Sequence, residues 1–226
     1  MKKIKNGSCL CGLLYTFVLL QALGINFPHR QEVVETEKIL SEKPRIAITF
    51  DDGPSETYTP RLLDGLKERN VKASFFVIGK MAEANPKLIQ REKEEGHLIG
   101  NHTYNHVDIS KISDEEAVLE IRKTNQVIEK VTKENVEYLR APFGSWKKNL
   151  IGRMDVFPVA WSIDPLDWTT ENTDEIVNKV VTEVKENDII LMHDCYQSSV
   201  DAALRIIDIL QKEGYEFVTV DKLILE

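Results

Sequence analysis

The chain has 226 residues, 42% of them hydrophobic and 29% charged, with a formal net charge of -8 at pH 7. That length suits one globular domain plus an extension, and the acidic balance excludes a nucleic-acid partner, whose phosphates need a basic face, and favours a largely neutral substrate. Of the three cysteines, Cys9 and Cys11 sit near the N-terminus, so Cys195 is alone in the body and neither an internal disulfide there nor a C-x-x-C zinc ribbon is available.

At the N-terminus, Lys2, Lys3 and Lys5 precede an apolar run from Cys9 to Ile25. This is the layout of a secretory signal or an N-terminal membrane anchor. The run is near the lower length limit for a spanning helix, so both forms stay open; either places the body outside the cytoplasmic membrane. Residues 26–44, a charged stretch between Pro28 and Pro44, read as a linker, and residues 45–226 as the domain.

From Arg45 onward, short apolar runs alternate with helical periods. Strands are predicted at 45–50, 73–77, 97–100, 137–139, 156–161, 188–192 and 216–220. Helix starts are predicted where Thr59 precedes Pro60, at the capping box from Ser113 to Glu116, at Thr173, and at Ser198 or Ser199. Alternating β and α elements predict a parallel sheet with covering helices. Seven strands favour a distorted, incomplete (β/α) barrel, TIM-like in plan, with an open doubly wound sheet as the alternative.

Polar clusters follow five of the predicted strands, where α/β folds build their sites. The first is Thr49-Phe50-Asp51-Asp52-Gly53-Pro54. Two acids there are costly if dry and unpaired, although a solvated turn would also account for them. In the second, His102 and His106 are four apart, close enough on a helical turn to meet one ion; with Asp52 they make the two-imidazole, one-carboxylate set of a catalytic zinc. Alone, that spacing is common on ordinary surfaces, and no Glu follows His102 as a zinc protease requires. His29 and His97 lack such company and read as structural.

The third cluster, Arg140 to Trp146, offers a guanidinium for a carboxylate and a Pro-Gly turn with free backbone N–H groups. The fourth contains Trp161, Asp164, Asp167 and Trp168, and the tryptophans are candidates for a sugar platform or for core. The fifth ends the apolar strand Ile189–Met192 with His193 and Asp194. A histidine there takes its pKa from its neighbours, and Cys195 beside it reads as a small filler with a reactive role left open.

In this order the five clusters resemble the polysaccharide deacetylases, carbohydrate esterase family 4. Its motifs read TFDDGP, H-S/T-x-x-H, R-x-P-x-G, D-x-x-D-W and L-x-H. They match residues 49–54, His102 to His106, Arg140 to Gly144, Asp164 to Trp168, and Leu191 to His193. The resemblance implies a metal-dependent hydrolase that removes N-acetyl groups from an N-acetylated polysaccharide, peptidoglycan above all. Chitin oligomers, acetylated xylan, or glycan binding without turnover are the alternatives. It implies that Asp52, His102 and His106 hold a divalent metal, usually Zn2+, with Co2+ or another ion as alternatives. Asp51 would be the general base, held by Arg140. His193 would be the general acid, kept charged by Asp167, with Asp164 as the alternative partner. The Phe143 backbone N–H would bind the oxyanion, and Leu191 and Trp168 would line the acetyl pocket. No protein partner is implied.

Overall fold

In the computed structural model, which describes residues 43–150 and 152–224, the first apolar run forms strand β1 (Arg45–Asp51), with six of its seven residues buried. The others are β2 (Ser74–Val77), β3 (Leu98–Asn101), β4 (Tyr138–Leu139), β5 (Phe157–Pro158), β6 (Ile189–His193) and β7 (Glu216–Phe217). All pair in parallel, in the order β5-β4-β3-β2-β1-β6, with β7 beside the first two residues of β1. Parallel neighbours need crossovers, and these contain α1 (Thr59–Glu68), α2 (Gly79–Ala84), α3 (Pro86–Glu94), α4 (Asp114–Thr132), α5 (Thr173–Glu183) and α6 (Gln197–Lys212). A short α7 (Val220–Ile224) follows β7.

The period of two along β1 sorts its side chains between two environments. Ile46, Ile48 and Phe50 join the large core shared with Leu62, Leu66, Ile206 and Leu210 of the covering helices. Ala47, Thr49 and Asp51 face the other side, where Ala47 packs with Phe76, Tyr138 and Val159. That inner side leads to the strand ends and the five clusters.

The predicted strand at 156–161 is cut short because its chain changes partners. Val159 N–H still donates to Leu139 O at 2.8 Å, but Ser162 N–H donates to Ile189 O at 2.9 Å and Leu191 N–H to Ile163 O at 2.9 Å. The stretch therefore spans from β4 to β6, between the two edges of the sheet. It is the distortion in the expected barrel.

Other expectations shift at their ends. The predicted strand 216–220 stops at Phe217, and Val220 already belongs to α7. Thr59 does not cap α1: it is the first helical residue, Tyr58 stands at the cap without a side-chain bond, and the Thr59 hydroxyl is spent on Asp194. Asn172 rather than Thr173 caps α5, accepting from Asp174 N and Glu175 N. The Ser113–Glu116 capping box forms as read, with both reciprocal bonds present. Helix α6 begins at Gln197, before Ser198. No helix was expected between β2 and β3, where α2 has six residues and α3, opened by Pro86, has nine. The predicted leader and residues 26–42 of the linker lie outside the described residues. Among the described residues no helix is long and apolar enough to cross a membrane.

Candidate active site

Asp51 is the last residue of β1, and its register partner across the parallel ladder is His193, the last of β6. Strand pairing alone thus sets these two side by side. Arg140 leaves β4 and is fully buried. It donates through Nη1 to Asp51 Oδ1 at 2.8 Å and to Thr49 Oγ1 at 2.6 Å. Its remaining donors reach Val159 O at 3.4 Å and Ala160 O at 3.3 Å, carbonyls of the stretch that spans the sheet edges. A buried guanidinium is tolerable when its donors and charge are met in this way.

Asp52 adopts a left-handed backbone, φ 74°, which breaks the strand alternation. Asp51 and Asp52 consequently both line one cavity of about 340 Å³. Two larger grooves, of about 580 and 830 Å³, contain none of the residues singled out as site candidates. Converging titratable groups, rather than volume, identify the candidate site.

His102 follows β3, and its Nδ1 lies 2.7 Å from Arg140 O. A carbonyl only accepts, so Nδ1 carries the hydrogen, and in the neutral ring this leaves the lone pair on Nε2. That Nε2 is 3.4 Å from Asp52 Oδ1, and His106 Nε2 is 3.3 Å from the same oxygen. Asp52 Oδ1 is buried with no hydrogen-bond partner. Two imidazoles and a carboxylate thus converge within 4.8 Å of one another. The bare carboxylate oxygen and the two imidazoles facing it form a candidate donor set for a divalent metal. Burial would raise the Asp52 carboxyl, but the His102, His106 and His193 imidazoles outweigh it and hold the group below its ordinary value. Burial lowers His106 despite the nearby Asp52.

The two histidines do not share a helical turn, as their spacing suggested. Thr103 (φ 61°) and His106 (φ 56°) are left-handed, and the loop closes through side chains elsewhere. Buried Asn101 accepts from Thr103 N at 2.7 Å. Glu120 reaches across from α4, its Oε2 accepting from Tyr104 N at 2.9 Å and Asn105 N at 2.8 Å. Sequence reasoning gave neither residue a role; the capping box that fixes the start of α4 was the available signal for Glu120.

On the opposite wall, His193 Nδ1 meets Asp167 Oδ1 at 2.8 Å, while the His193 backbone N–H donates to Asp167 Oδ2 at 2.9 Å. Asp164 instead accepts from Leu166 N at 2.8 Å. Burial opposes a charge on His193, but Asp167, with Asp51 and Asp52, raises it to about 9. Phe143, left-handed at φ 59°, lines the cavity with its ring edge-on to His106, centroids 4.8 Å apart. Leu191 and Trp168 line it too, as do Trp161, weighed above as sugar platform or core, and Tyr196, which carried no site prediction. Burial, then the neighbouring acids, pushes the Cys195 thiol up to about 12, which leaves it protonated and unreactive. His97 accepts from Ala73 N at 3.1 Å and is held near 4 by burial, as a structural histidine should be.

A profile of the polysaccharide deacetylase family matches residues 38–157, which contain the first three clusters. The chain belongs to the polysaccharide deacetylase family. Relatives extend this likeness past residue 157. The peptidoglycan-N-acetylglucosamine deacetylase PgdA of Listeria monocytogenes is 38% identical over 196 residues, 87% of this chain, although the chain spans only 42% of that protein's length. A peptidoglycan-N-acetylglucosamine deacetylase of Bacillus cereus is 40% identical over 203 residues, covering 85% of this chain and 91% of its own. Among solved structures, the peptidoglycan deacetylase PdaC from Bacillus subtilis superposes with a TM-score of 0.79 at 36% identity, over 80% of this chain and 90% of that one.

Proposed function

We propose that this chain is a divalent-metal-dependent hydrolase that removes N-acetyl groups from amino sugars of a cell-wall polysaccharide, with N-acetylglucosamine of peptidoglycan as the substrate. The observation that carries the reading is one cavity with the Asp52–His102–His106 donor set beside the Asp51–Arg140 pair, and His193–Asp167 opposite. The names of the relatives, peptidoglycan deacetylases, support the substrate. The basic-then-apolar leader supports a location outside the cytoplasmic membrane, secreted or anchored there.

Asp52, His102 and His106 would hold the metal, with zinc favoured by two imidazoles and one carboxylate and cobalt as an alternative. When bound, the metal supplies Lewis acidity, which acidifies a water and polarises the acetyl carbonyl. Asp51 commits Oδ1 to Arg140, so its other oxygen takes the proton of the attacking water. The backbone N–H of Phe143 donates to the developing oxyanion. Asp167 occupies His193 Nδ1, so Nε2 is the atom that delivers a proton. As the water oxygen bonds to the acetyl carbon and the C–N bond breaks, that proton goes to the departing amine, and acetate and a free amino sugar leave. Leu191 and Trp168 hold the acetyl methyl against apolar surface.

The test is acetate release from peptidoglycan, chitin oligomers and acetylated xylan, with zinc and after chelation. Release from peptidoglycan that stops on chelation is expected. Release from chitin oligomers alone moves the substrate but keeps the chemistry. Release from xylan alone overturns N-deacetylation in favour of ester cleavage, and bound metal without acetate from any polymer makes the chain a glycan-binding module.

A further inference from the structure

Asp194 is fully buried immediately after His193, and the chemistry above makes no use of it. Its Oδ2 accepts from the Thr59 hydroxyl. That hydroxyl in turn accepts from Ser55 N–H at 2.7 Å. The carboxyl group also lies flat against Gly53. A Cβ at Gly53 would fall 2.6 Å from Asp194 Cγ and nearer still to both its oxygens, so something would have to move. Gly53 does not occupy the left-handed region. Contact with Asp194, not backbone conformation, is therefore what demands glycine here. The Gly53 carbonyl is fixed as well, accepting from Ile78 N at 3.1 Å.

The turn from Asp52 to Ser55 is thus gripped twice by one side chain, directly at Gly53 and through Thr59 at Ser55. The ladder between β1 and β6 ends at the Asp51–His193 pair. Past that point the contact of Asp194 with Gly53 and Thr59 continues the grip. We propose that Asp194 is a positioning residue whose side chain, seated on Gly53, sets where Asp52 stands relative to His102, His106 and His193. Asp194 touches neither substrate nor metal in this assignment. It acts through the turn that carries Asp52.

The test is a pair of complementary substitutions, read first by zinc affinity in competition with a chromophoric chelator and by the visible spectrum of the cobalt form. Gly53→Ala should weaken zinc about 10–100-fold, the usual cost of disturbing a ligand's support. It should also lower kcat/KM by about 100-fold, as a misplacement of about an ångström does. Asp194→Ala removes the three atoms nearest the new methyl. The double variant Gly53→Ala/Asp194→Ala should therefore bind zinc at least tenfold more tightly than Gly53→Ala alone, a coupling that independent sites do not show. Asp194→Asn, which keeps the shape and an acceptor for Thr59, should recover most of what Asp194→Ala loses. Wild-type zinc affinity in Gly53→Ala, or a double variant no tighter than Gly53→Ala, overturns the proposal. So does Asp194→Asn failing as deeply as Asp194→Ala. If Gly53→Ala does not fold, the contrast of Asp194→Ala with Asp194→Asn decides alone. Metal affinity is read without turnover, so an enzyme silent on every glycan would sink the deacetylase reading that the kcat/KM arm rests on and leave this test standing.

Discussion

On one wall of the cavity, Asp51, Asp52, His102 and Arg140 are tied to each other and to the ends of three strands. On the other, His193 depends on one carboxylate, Asp167, which holds both its ring and its backbone N–H. The first wall is a web: Arg140 meets Asp51 and Thr49 through its side chain and His102 through its carbonyl. The second is a single bidentate clasp. A web fixes positions, as the proposed metal site and general base require. A clasp tunes one property, the charge of an imidazole, and can change without moving the rest.

The sharpest way to break the contrast is within the web, between two neighbouring acids. Asp52→Ala should lose metal and activity together, by roughly 10³-fold or more, since a Lewis acid contributes several kcal/mol. Asp51→Asn should keep metal stoichiometry and lose about 10²–10⁴-fold in kcat, the share of a general base. Metal analysis beside acetate release checks both, and identical behaviour of the two would dissolve the distinction drawn between them.

Arg140→Ala should unfold at lower urea as well as lose activity. It strands Asp51 and leaves two carbonyls of the spanning stretch without donors, and breaking a buried pair costs about 3–5 kcal/mol. If the loss were confined to rate, the web would be no more structural than the clasp.

Asp167→Asn should leave the fold intact and act through pH. With Asp167 present, His193 is raised to about 9, so its acid form persists through neutral pH and is lost as pH rises past that value. By linkage, the stability this contributes is complete below the unfolded value of about 6.5 and disappears as pH rises through 9. Without the Asp167 charge, burial is opposed only by Asp51 and Asp52, and the His193 pKa falls from about 9. The alkaline limb of kcat/KM should move to lower pH, with a loss of about tenfold or more at pH 8 and a smaller one at pH 6. An unmoved limb would mean that Asp167 does not set the charge. The smallest effect is expected for Trp168→Ala, on a ring 56% exposed at the rim. KM should rise by about tenfold with kcat kept, the mark of lost uniform binding.

Much of the site was legible because its residues stand at the ends of apolar runs, and a parallel sheet gathers such ends on one side. Asp51, Asp52, His102, Arg140 and His193 were all readable in this way. What escaped was set by distant partners. The spacing of His102 and His106 suits a helix, but buried Asn101 and Glu120 of α4 impose a left-handed loop instead. Thr59 looks like a helix cap, yet its hydroxyl is claimed by an acid 135 residues on. Residues 156–161 have a strand-like apolar pattern, yet only Val159 among them is buried, and the chain leaves β4 after Val159 to join β6 from Ser162.

That crossing has a mechanical consequence. The stretch from Phe157 to Ile163 is a seam, and the arginine that aims Asp51 is also the stitch that holds it, through the carbonyls of Val159 and Ala160. Breathing of the sheet at its seam reaches Asp51 through the buried Arg140 guanidinium. The amide protons of Val159, Ser162 and Leu191 close the seam on its two sides. Their exchange with solvent would time each opening, and with it the moments when Asp51 loses its aim.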